Sequence, residues 1–352
     1  MPTDPQTDPI QHRVEAYDFD LPPDLIAQEP LPSRDASRLL VLDRGRGTLA
    51  HRAFTDLPEL LQPGDLLVTN RSRVLPARLI GRREGGGAAE ILLVRRREAD
   101  LWEAMVRPGR RLREGAVVTI GPGFAVRVER GAGPQRLVRF LVAGLSPQAA
   151  IERHGHVPLP PYIRRADTRA DRDRYQTVYA REAGSIAAPT AGLHFTPELL
   201  DRLRTRGVER AELVLHVGPG TFRPVEATDV RDHRVDPEQF TIPDDTAAAV
   251  GRARAEGRRV VAVGTTATRA LESALDASGS VRPGDGETDL VIVPGHRFRA
   301  VDALLTNFHL PRSSLLLLVS AFAARERVLS AYAEAVRSHY RFYSYGDAML
   351  VV

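Results

Sequence analysis

Histidine, asparagine and glycine gather in four short stretches of this sequence, each bent by Gly or Pro and each carrying uncharged polar groups. Ala187-Ala188-Pro189-Thr190-Ala191-Gly192-Leu193-His194-Phe195 stands just before a helix start. Its small residues would let a ligand approach the backbone, and His194 is either an acid or base or a buried histidine in a tight turn. Leu215-His216-Val217-Gly218-Pro219-Gly220-Thr221-Phe222 follows a strand, at the carboxyl end where open α/β sheets tend to bind ligands. It holds only a GxG, lacks the full dinucleotide fingerprint and meets Pro224 where that fingerprint would open a helix. Val263-Gly264-Thr265-Thr266-Ala267-Thr268-Arg269-Ala270-Leu271-Glu272 runs from strand to helix, so unsatisfied N–H groups at the helix start could hold a carboxylate or phosphate. Arg269 and Glu272, three apart, share a helical face, which is also the spacing of an ordinary surface ion pair. Thr306-Asn307-Phe308-His309-Leu310-Pro311 places an amide and an imidazole on a proline-ended turn.

The elements that must position these groups change rhythm along the chain. Between about residues 66 and 143, short period-2 segments are separated by Gly, Pro or charged turns. Phe124, Val126 and Val128 alternate with Ala125, Arg127 and Glu129, and Val138, Phe140 and Val142 share one side of the next run. With Leu66–Thr69, Ala77–Arg83, Ile91–Val94, Trp102–Val106 and Val117–Ile120, the spacing of roughly ten residues predicts a small antiparallel barrel. The C-terminal half reads differently. Thr196-Pro197-Glu198 is a helix start with Leu199, Leu200 and Leu203 behind it and Gly207 at the stop. Strands are expected at Ala211–Val217, Arg259–Val263 and Leu290–Val293, and helices over about 245–256, 264–276, 314–323 and 326–340. That alternation predicts an α/β domain, a mostly parallel sheet with flanking helices. Tyr17–Arg44 has no core of its own and is expected to join this sheet. The domain is then discontinuous, residues 1–65 and 146–352, with residues 66–145 inserted as the barrel. The first dozen residues, rich in Pro and Asp, are expected to be disordered.

Composition excludes a good deal. At 352 residues the chain exceeds the size of one usual core, so two domains are expected, and 43% apolar with 27% charged residues suits a soluble globular protein. Cysteine is absent, which removes disulfides, Cys-ligated zinc, iron–sulfur clusters, radical chemistry built on them and thiolate nucleophiles. Lysine is absent too, so all 49 basic residues are arginine, and Schiff-base chemistry and a P-loop are excluded. Ser314–Ala324, the longest apolar stretch, is about half the ~20 residues a membrane span needs, and the N-terminus has no apolar signal region. A cytoplasmic protein is expected. The net charge of +4 and pI near 9.7 are compatible with a polyanionic partner. Arginines cluster at 95–97, at 107, 110, 111 and 113, and at 164, 165, 169, 172 and 174. Guanidinium forks suit phosphate, although Asp167, Asp171 and Asp173 interleave the last run as on a solvated face.

The four stretches together resemble the S-adenosylmethionine:tRNA ribosyltransferase-isomerase (QueA) family in order and wording. The likeness extends to Tyr17-Asp18-Phe19-Asp20-Leu21-Pro22, Ser37-Arg38-Leu39, Arg73-Val74-Leu75-Pro76-Ala77-Arg78, Gly155-His156-Val157-Pro158-Leu159-Pro160-Pro161-Tyr162-Ile163, Tyr175-Gln176-Thr177-Val178-Tyr179 and the ending Tyr340-Arg341-Phe342-Tyr343-Ser344-Tyr345-Gly346-Asp347-Ala348-Met349. It covers nearly all of the chain beyond residue 15. The resemblance implies transfer and isomerisation of the ribosyl group of S-adenosylmethionine onto 7-aminomethyl-7-deazaguanine at the tRNA wobble position, giving epoxyqueuosine, adenine and methionine. No metal or separate cofactor is implied, S-adenosylmethionine being consumed. The expected partners are that donor and a tRNA anticodon stem-loop, with no membrane, and a monomer is expected.

On this resemblance His194, His216 and His309 are the candidates for proton transfer, without assignment among them. Thr190, Gly192, Gly218, Gly220, Thr221, Thr265, Thr266, Arg269, Glu272, Asn307 and Asp347 are candidate substrate-binding residues. Arg269 would pair with the methionine carboxylate, and Glu272 or Asp347 would oppose the sulfonium or bind a ribose hydroxyl. Arg73, Arg78, Arg107, Arg110, Arg164 and Arg165 are candidates for tRNA phosphate contacts. The chain departs from the family's usual wording at Arg71, at Asp236 where a second histidine is usual, at Ala267 and Thr268, and at Val293 and His296 where aromatic residues are frequent. A paralogue with the same donor and another acceptor is one rival. An S-adenosylmethionine-dependent RNA methyltransferase is a second, and a non-catalytic RNA-binding module is a third.

Overall fold

The computed structural model describes residues 9–131, 135–222 and 224–352, apart from the side chains of Pro9, Thr221 and Phe222. A nine-stranded sheet forms its larger part. Across the sheet lie Gly284–Thr288, Glu238–Ile242, Glu209–Leu215, Leu66–Asn70, Val260–Val263, Ala303–Asn307, Ala348–Val351, Arg38–Asp43 and Thr48–Ala53. The four strands from Glu209–Leu215 to Ala303–Asn307 are mutually parallel, and both flanks bring in antiparallel pairs, so the sheet is mixed around a parallel centre. As expected, the segment before residue 44 joins it through Arg38–Asp43.

Residue type explains why the centre is parallel and covered. Leu66–Asn70, Val260–Val263 and Ala303–Asn307 are buried at every position, because both faces carry cores. Alternate side chains part between them. Leu66, Val68, Val260, Ala262 and Leu304 enter one core with the helices Asp244–Ala255, Gly264–Ser273 and Ser314–Ala323, while Leu67, Val261, Val263 and Leu305 enter the other with Leu199 and Leu203 of helix Pro197–Thr205. That last helix starts as its sequence predicts, with the Thr196 hydroxyl accepting from the Leu199 N–H.

Six antiparallel strands close the barrel in the order Gln135–Val142, Leu101–Arg107, Ala88–Arg96, Arg78–Arg83, Val117–Gly121 and Phe124–Arg130. Phe124, Val126, Val128, Val138 and Phe140 point inward as their alternation requires. Helix Pro147–His154, absent from the sequence reading, packs Ala150 and Ile151 against that same core.

Three expectations need correction. Leu66–Thr69, expected in the barrel, is the central strand Leu66–Asn70 of the large sheet, because an unbroken apolar run suits two covered faces better than a barrel's alternation. Leu290–Val293 forms no strand. The sheet edge is made upstream by Gly284–Thr288, which pairs with Glu238–Ile242. Thr306 and Asn307, read as part of a proline-ended turn, are instead the last two residues of the fully buried strand Ala303–Asn307. The disorder expected for the first dozen residues falls partly outside the described residues, and Pro9–His12 is a short 3-10 helix.

Candidate active site

Three of the four stretches leave carboxyl ends of neighbouring parallel strands, after Leu215, Val263 and Asn307, and the fourth, Thr190–His194, folds as a 3-10 helix beside them. Asn70, at the end of the strand between, ties the rim together. Its amide nitrogen donates to the Leu215 carbonyl (2.9 Å), and its oxygen accepts from the Leu215 and Ser72 N–H groups (3.1 and 3.0 Å).

A cavity of about 60 Å³ opens at this rim, lined among others by Thr190, Gly264, Thr265, Thr266, Thr306, Asn307, His309, Tyr162, Tyr343 and Ser344. Tyr162 and Tyr343 stack with centroids 4.3 Å apart. Five of the expected site residues, Thr190, Thr265, Thr266, Asn307 and His309, are thus brought together. Sequence reasoning missed both tyrosines as site residues, although the segments holding them were noticed.

Beside it, sharing Val217 and Leu315 in its lining, lies a cleft of about 490 Å³ between the sheet's rim and the barrel. The sheet side contributes His216, Gly218, Gly220, Asp236, Glu238 and Arg269; the barrel side contributes Val94, Arg95, Trp102, Glu103 and Gln135. Arg95 forms an ion pair with Glu287 of the sheet's edge strand, joining the two sides. The Thr221 side chain lies outside the described residues.

The three histidines differ in what they can do. His194 is 4% exposed, with Nδ1 2.7 Å from Ser37 Oγ and Nε2 3.1 Å from Asn307 Nδ2. Because Asn307 Nδ2 also donates to the Tyr343 carbonyl (3.1 Å), it is the amide nitrogen that faces His194. His194 Nε2 therefore accepts, and Nδ1 carries the proton toward Ser37. Burial, with Arg341 and Arg34 nearby, lowers its pKa to about 3, so the ring is neutral. His309 lines the small cavity with Nε2 2.8 Å from Thr306 Oγ1, and burial lowers its pKa to about 3 as well. His216 faces the cleft, partly exposed, and its Nδ1 has no partner. Burial lowers its pKa and Glu182 opposes the shift. A Cβ on Gly184 would meet its ring at 2.6 Å, so only glycine at 184 leaves the imidazole where it is.

Other expected residues are engaged elsewhere. Arg269 forms a buried ion pair with Glu238, not with Glu272, and its Nε donates to the Leu290 carbonyl (2.9 Å). Glu238 in turn accepts from the Gly218 N–H at 2.8 Å and so fixes the Gly218-Pro219-Gly220 loop. Glu272 accepts from the Arg299 and Ala300 N–H groups (3.1 and 2.9 Å), and Asp347 from those of Arg38 and Arg341 (3.1 and 2.8 Å). Both carboxylates line neither cavity. Gly192 is also outside them, packed where a Cβ would stand 2.3 Å from the Tyr179 hydroxyl. Among the described residues no group of three or more His, Asp or Glu side chains is placed to hold a metal ion.

The arginines divide similarly. Arg73, Arg107, Arg110 and Arg164 are exposed. Arg78 pairs with Glu90 at 2.9 Å, and Arg165 grips both oxygens of Asp171 (2.7 and 2.8 Å). Burial pushes the Asp171 carboxyl up, but hydrogen bonds from Arg165, Thr168 and Tyr345 outweigh it and hold that carboxyl well below its usual range.

A mixed α/β sheet with an inserted antiparallel barrel, a small cavity at the sheet's rim and an adjoining cleft where that rim meets the barrel define a class of two-part proteins with the site at the seam. Comparison narrows the class. Residues 14–351 match the family described as queuosine biosynthesis protein. The chain is 54% identical to the S-adenosylmethionine:tRNA ribosyltransferase-isomerase of Moorella thermoacetica, covering 97% of this chain and 100% of that one. It is 52% identical to the protein of the same name from Symbiobacterium thermophilum, with the same coverage. The crystal structure of S-adenosylmethionine tRNA ribosyltransferase from Thermotoga maritima superposes with a TM-score of 0.56 at 40% identity, over 96% of this chain and 100% of that one. This chain belongs to the queuosine biosynthesis protein family.

Proposed function

We propose that this chain transfers and isomerises the ribosyl group of S-adenosylmethionine onto 7-aminomethyl-7-deazaguanine at the tRNA wobble position, giving epoxyqueuosine, adenine and methionine. The observation that carries this reading is the joined pair of cavities at the sheet's carboxyl rim, in a chain that corresponds end to end to enzymes named for that reaction.

The chemistry fits the residues in the cleft. A sulfonium acidifies the hydrogens on ribose C5′, so a positioned base can take a proton there to give an ylide. The free amine of the modified base is then the nucleophile that forms the new bond to the ribosyl carbon skeleton, while methionine leaves as the neutral thioether and adenine departs more readily when protonated. A proton carrier needs a pKa near the working pH and access to the reacting atoms. His216, partly exposed and lining the cleft, has better access to the reacting atoms than His194 or His309, whose burial keeps them neutral; burial lowers the His216 pKa too, with Glu182 opposing the shift. The donor is consumed as a substrate, and the reaction requires no other cofactor. Arg73, Arg107, Arg110 and Arg164 supply tRNA phosphate contacts, whereas Arg78 and Arg165 act first on Glu90 and Asp171. In this reading the protein works as a monomer in the cytoplasm; among the described residues, no helix is long and apolar enough to cross a membrane.

Incubation with S-adenosylmethionine and tRNA bearing the aminomethyl-deazaguanine base, followed by mass spectrometry, tests the reading. Adenine, methionine and a sugar adduct on the tRNA are expected. S-adenosylhomocysteine would instead mark a methyltransferase, and no turnover would mark a binding module. A different acceptor is favoured by one observation only. Asp236, one of the departures from the family's wording, lines the cleft, while Arg71, Ala267, Thr268, Val293 and His296 line neither cavity.

A further inference from the structure

The small cavity pairs two features of opposite electrostatic sense. On one side helix Gly264–Ser273 begins with Val263 at its N-cap, a residue with no side-chain oxygen to offer, and no side-chain cap is made. The first N–H groups of a helix have no intrahelical acceptor, and they carry its partial positive charge. Gly264, Thr265 and Thr266 line the cavity with that end. The Asn307 side chain, 2% exposed, lines it too. Its Nδ2 is turned to His194 Nε2 and to the Tyr343 carbonyl, which leaves Oδ1 buried and without a partner. The Tyr343 hydroxyl, on a residue 5% exposed that also lines the cavity, is likewise unpartnered. Buried polar atoms are nearly always paired, so two orphans at one cavity call for a ligand.

Each side selects a chemical group. An uncapped helix start favours a carboxylate, and a lone amide oxygen favours an N–H donor, best of all an ammonium. An α-amino-acid head carries both on one carbon. Relative size assigns the two ends of the donor: the cavity of about 60 Å³ suits the compact amino-acid head, and the adjoining cleft of about 490 Å³ suits the bulkier nucleoside.

We propose that this cavity binds the α-amino-acid head of the donor, with its carboxylate at the N–H groups of Thr265 and Thr266 and its ammonium on Asn307 Oδ1. The inference rests on the donor being S-adenosylmethionine. Sulfonium, ribose and adenine then extend past Val217 and Leu315 into the cleft, toward His216. His194 is a positioning residue. It accepts from Asn307 Nδ2, is itself held by Ser37, and so keeps the amide oxygen turned to the ligand. Arg269, occupied by Glu238, is not needed for the carboxylate.

Calorimetric binding of two sulfonium ligands tests this, one being S-adenosylmethionine and the other 5′-dimethylsulfonio-5′-deoxyadenosine, which lacks the amino-acid head. The wild type should prefer the first. Asn307→Ala should weaken S-adenosylmethionine roughly 10- to 100-fold, the range for hydrogen bonds to charged groups, and leave the headless ligand unchanged. His194→Gln should show the same selectivity loss in smaller degree, which a general loosening of structure would not produce. Should Asn307→Ala melt at the assay temperature, Tyr343→Phe serves in its place with a several-fold effect. Equal loss for both ligands, or undiminished S-adenosylmethionine affinity in the variants, overturns the proposal. A wild type that binds both ligands equally sinks the head site alone, whereas one that binds neither sinks the proposed reaction with it.

Discussion

Acidification from pH 7.5 to 5.0 should strip the large sheet of about 4 kcal/mol of stability through two imidazoles. His194 and His309 are 4% and 7% exposed, and each is lowered from an ordinary 6.5 to about 3. The unfolded chain therefore binds a proton at each ring between those two values while the folded chain does not. Stability from this source is complete above pH 6.5 and is lost as the pH falls toward 3, at about 1.36 kcal/mol per pH unit and per ring. Over the 1.5 units from 6.5 to 5.0 that gives about 2 kcal/mol each, set against the ~5–15 kcal/mol total of a typical domain. His216 and His233 are also lowered by burial and add in the same direction. The carboxyls of Asp229 and Asp276, at about 2, and Asp171, lower still, lose their contributions only in more acid solution. Urea unfolding followed by far-ultraviolet circular dichroism at the two pH values measures the loss. In His194→Gln and His309→Gln about half of the pH sensitivity should vanish, since glutamine does not titrate. If both variants keep the full wild-type dependence on pH, the two rings are not buried neutral as described and the reasoning fails.

Substitution of His216 by alanine should slow adenine release by about 10²-fold or more while leaving the melting temperature nearly unchanged, the ordinary yield of a lost proton carrier; a wild-type rate would move the acid–base role off this residue. Arg269→Met should cost roughly 3–5 kcal/mol, because it takes the guanidinium out of a buried ion pair with Glu238. Replacing both partners by leucine should cost less than the single change, as urea midpoints would show. Removing Arg107, Arg110 or Arg164 should each reduce the slope of log affinity for tRNA against log salt by about one. Arg165→Ala should instead lower thermal stability through the loss of its grip on Asp171.

Local signals were read correctly where neighbours in sequence make the structure. Thr196 caps Pro197–Thr205 through a contact three residues away, and the alternation of Phe124, Val126 and Val128 needs only the pleat of its own strand to face inward. Strand membership depended on distant partners. Leu66–Asn70 and Leu290–Val293 are both short apolar segments, yet the first lies between two parallel neighbours and the second pairs with no strand. The same division runs through the site. Residue types and Gly or Pro bends marked Thr190, Thr265, Thr266, Asn307 and His309, which converge on one cavity, but they also marked Glu272 and Asp347, whose carboxylates hold backbone N–H groups instead.

What the sequence by itself determined was the barrel's alternation, the helix starts, the chemistries excluded by having neither cysteine nor lysine, and the family wording of the four loops. Tertiary structure alone decided which histidine keeps a partnerless nitrogen in a cleft and which lie buried and neutral. The physical reason is that a proton's affinity and a hydrogen bond's direction depend on solvent exclusion and on partners far along the chain, such as Ser37 and Asn307 on either side of His194, and residue order carries neither.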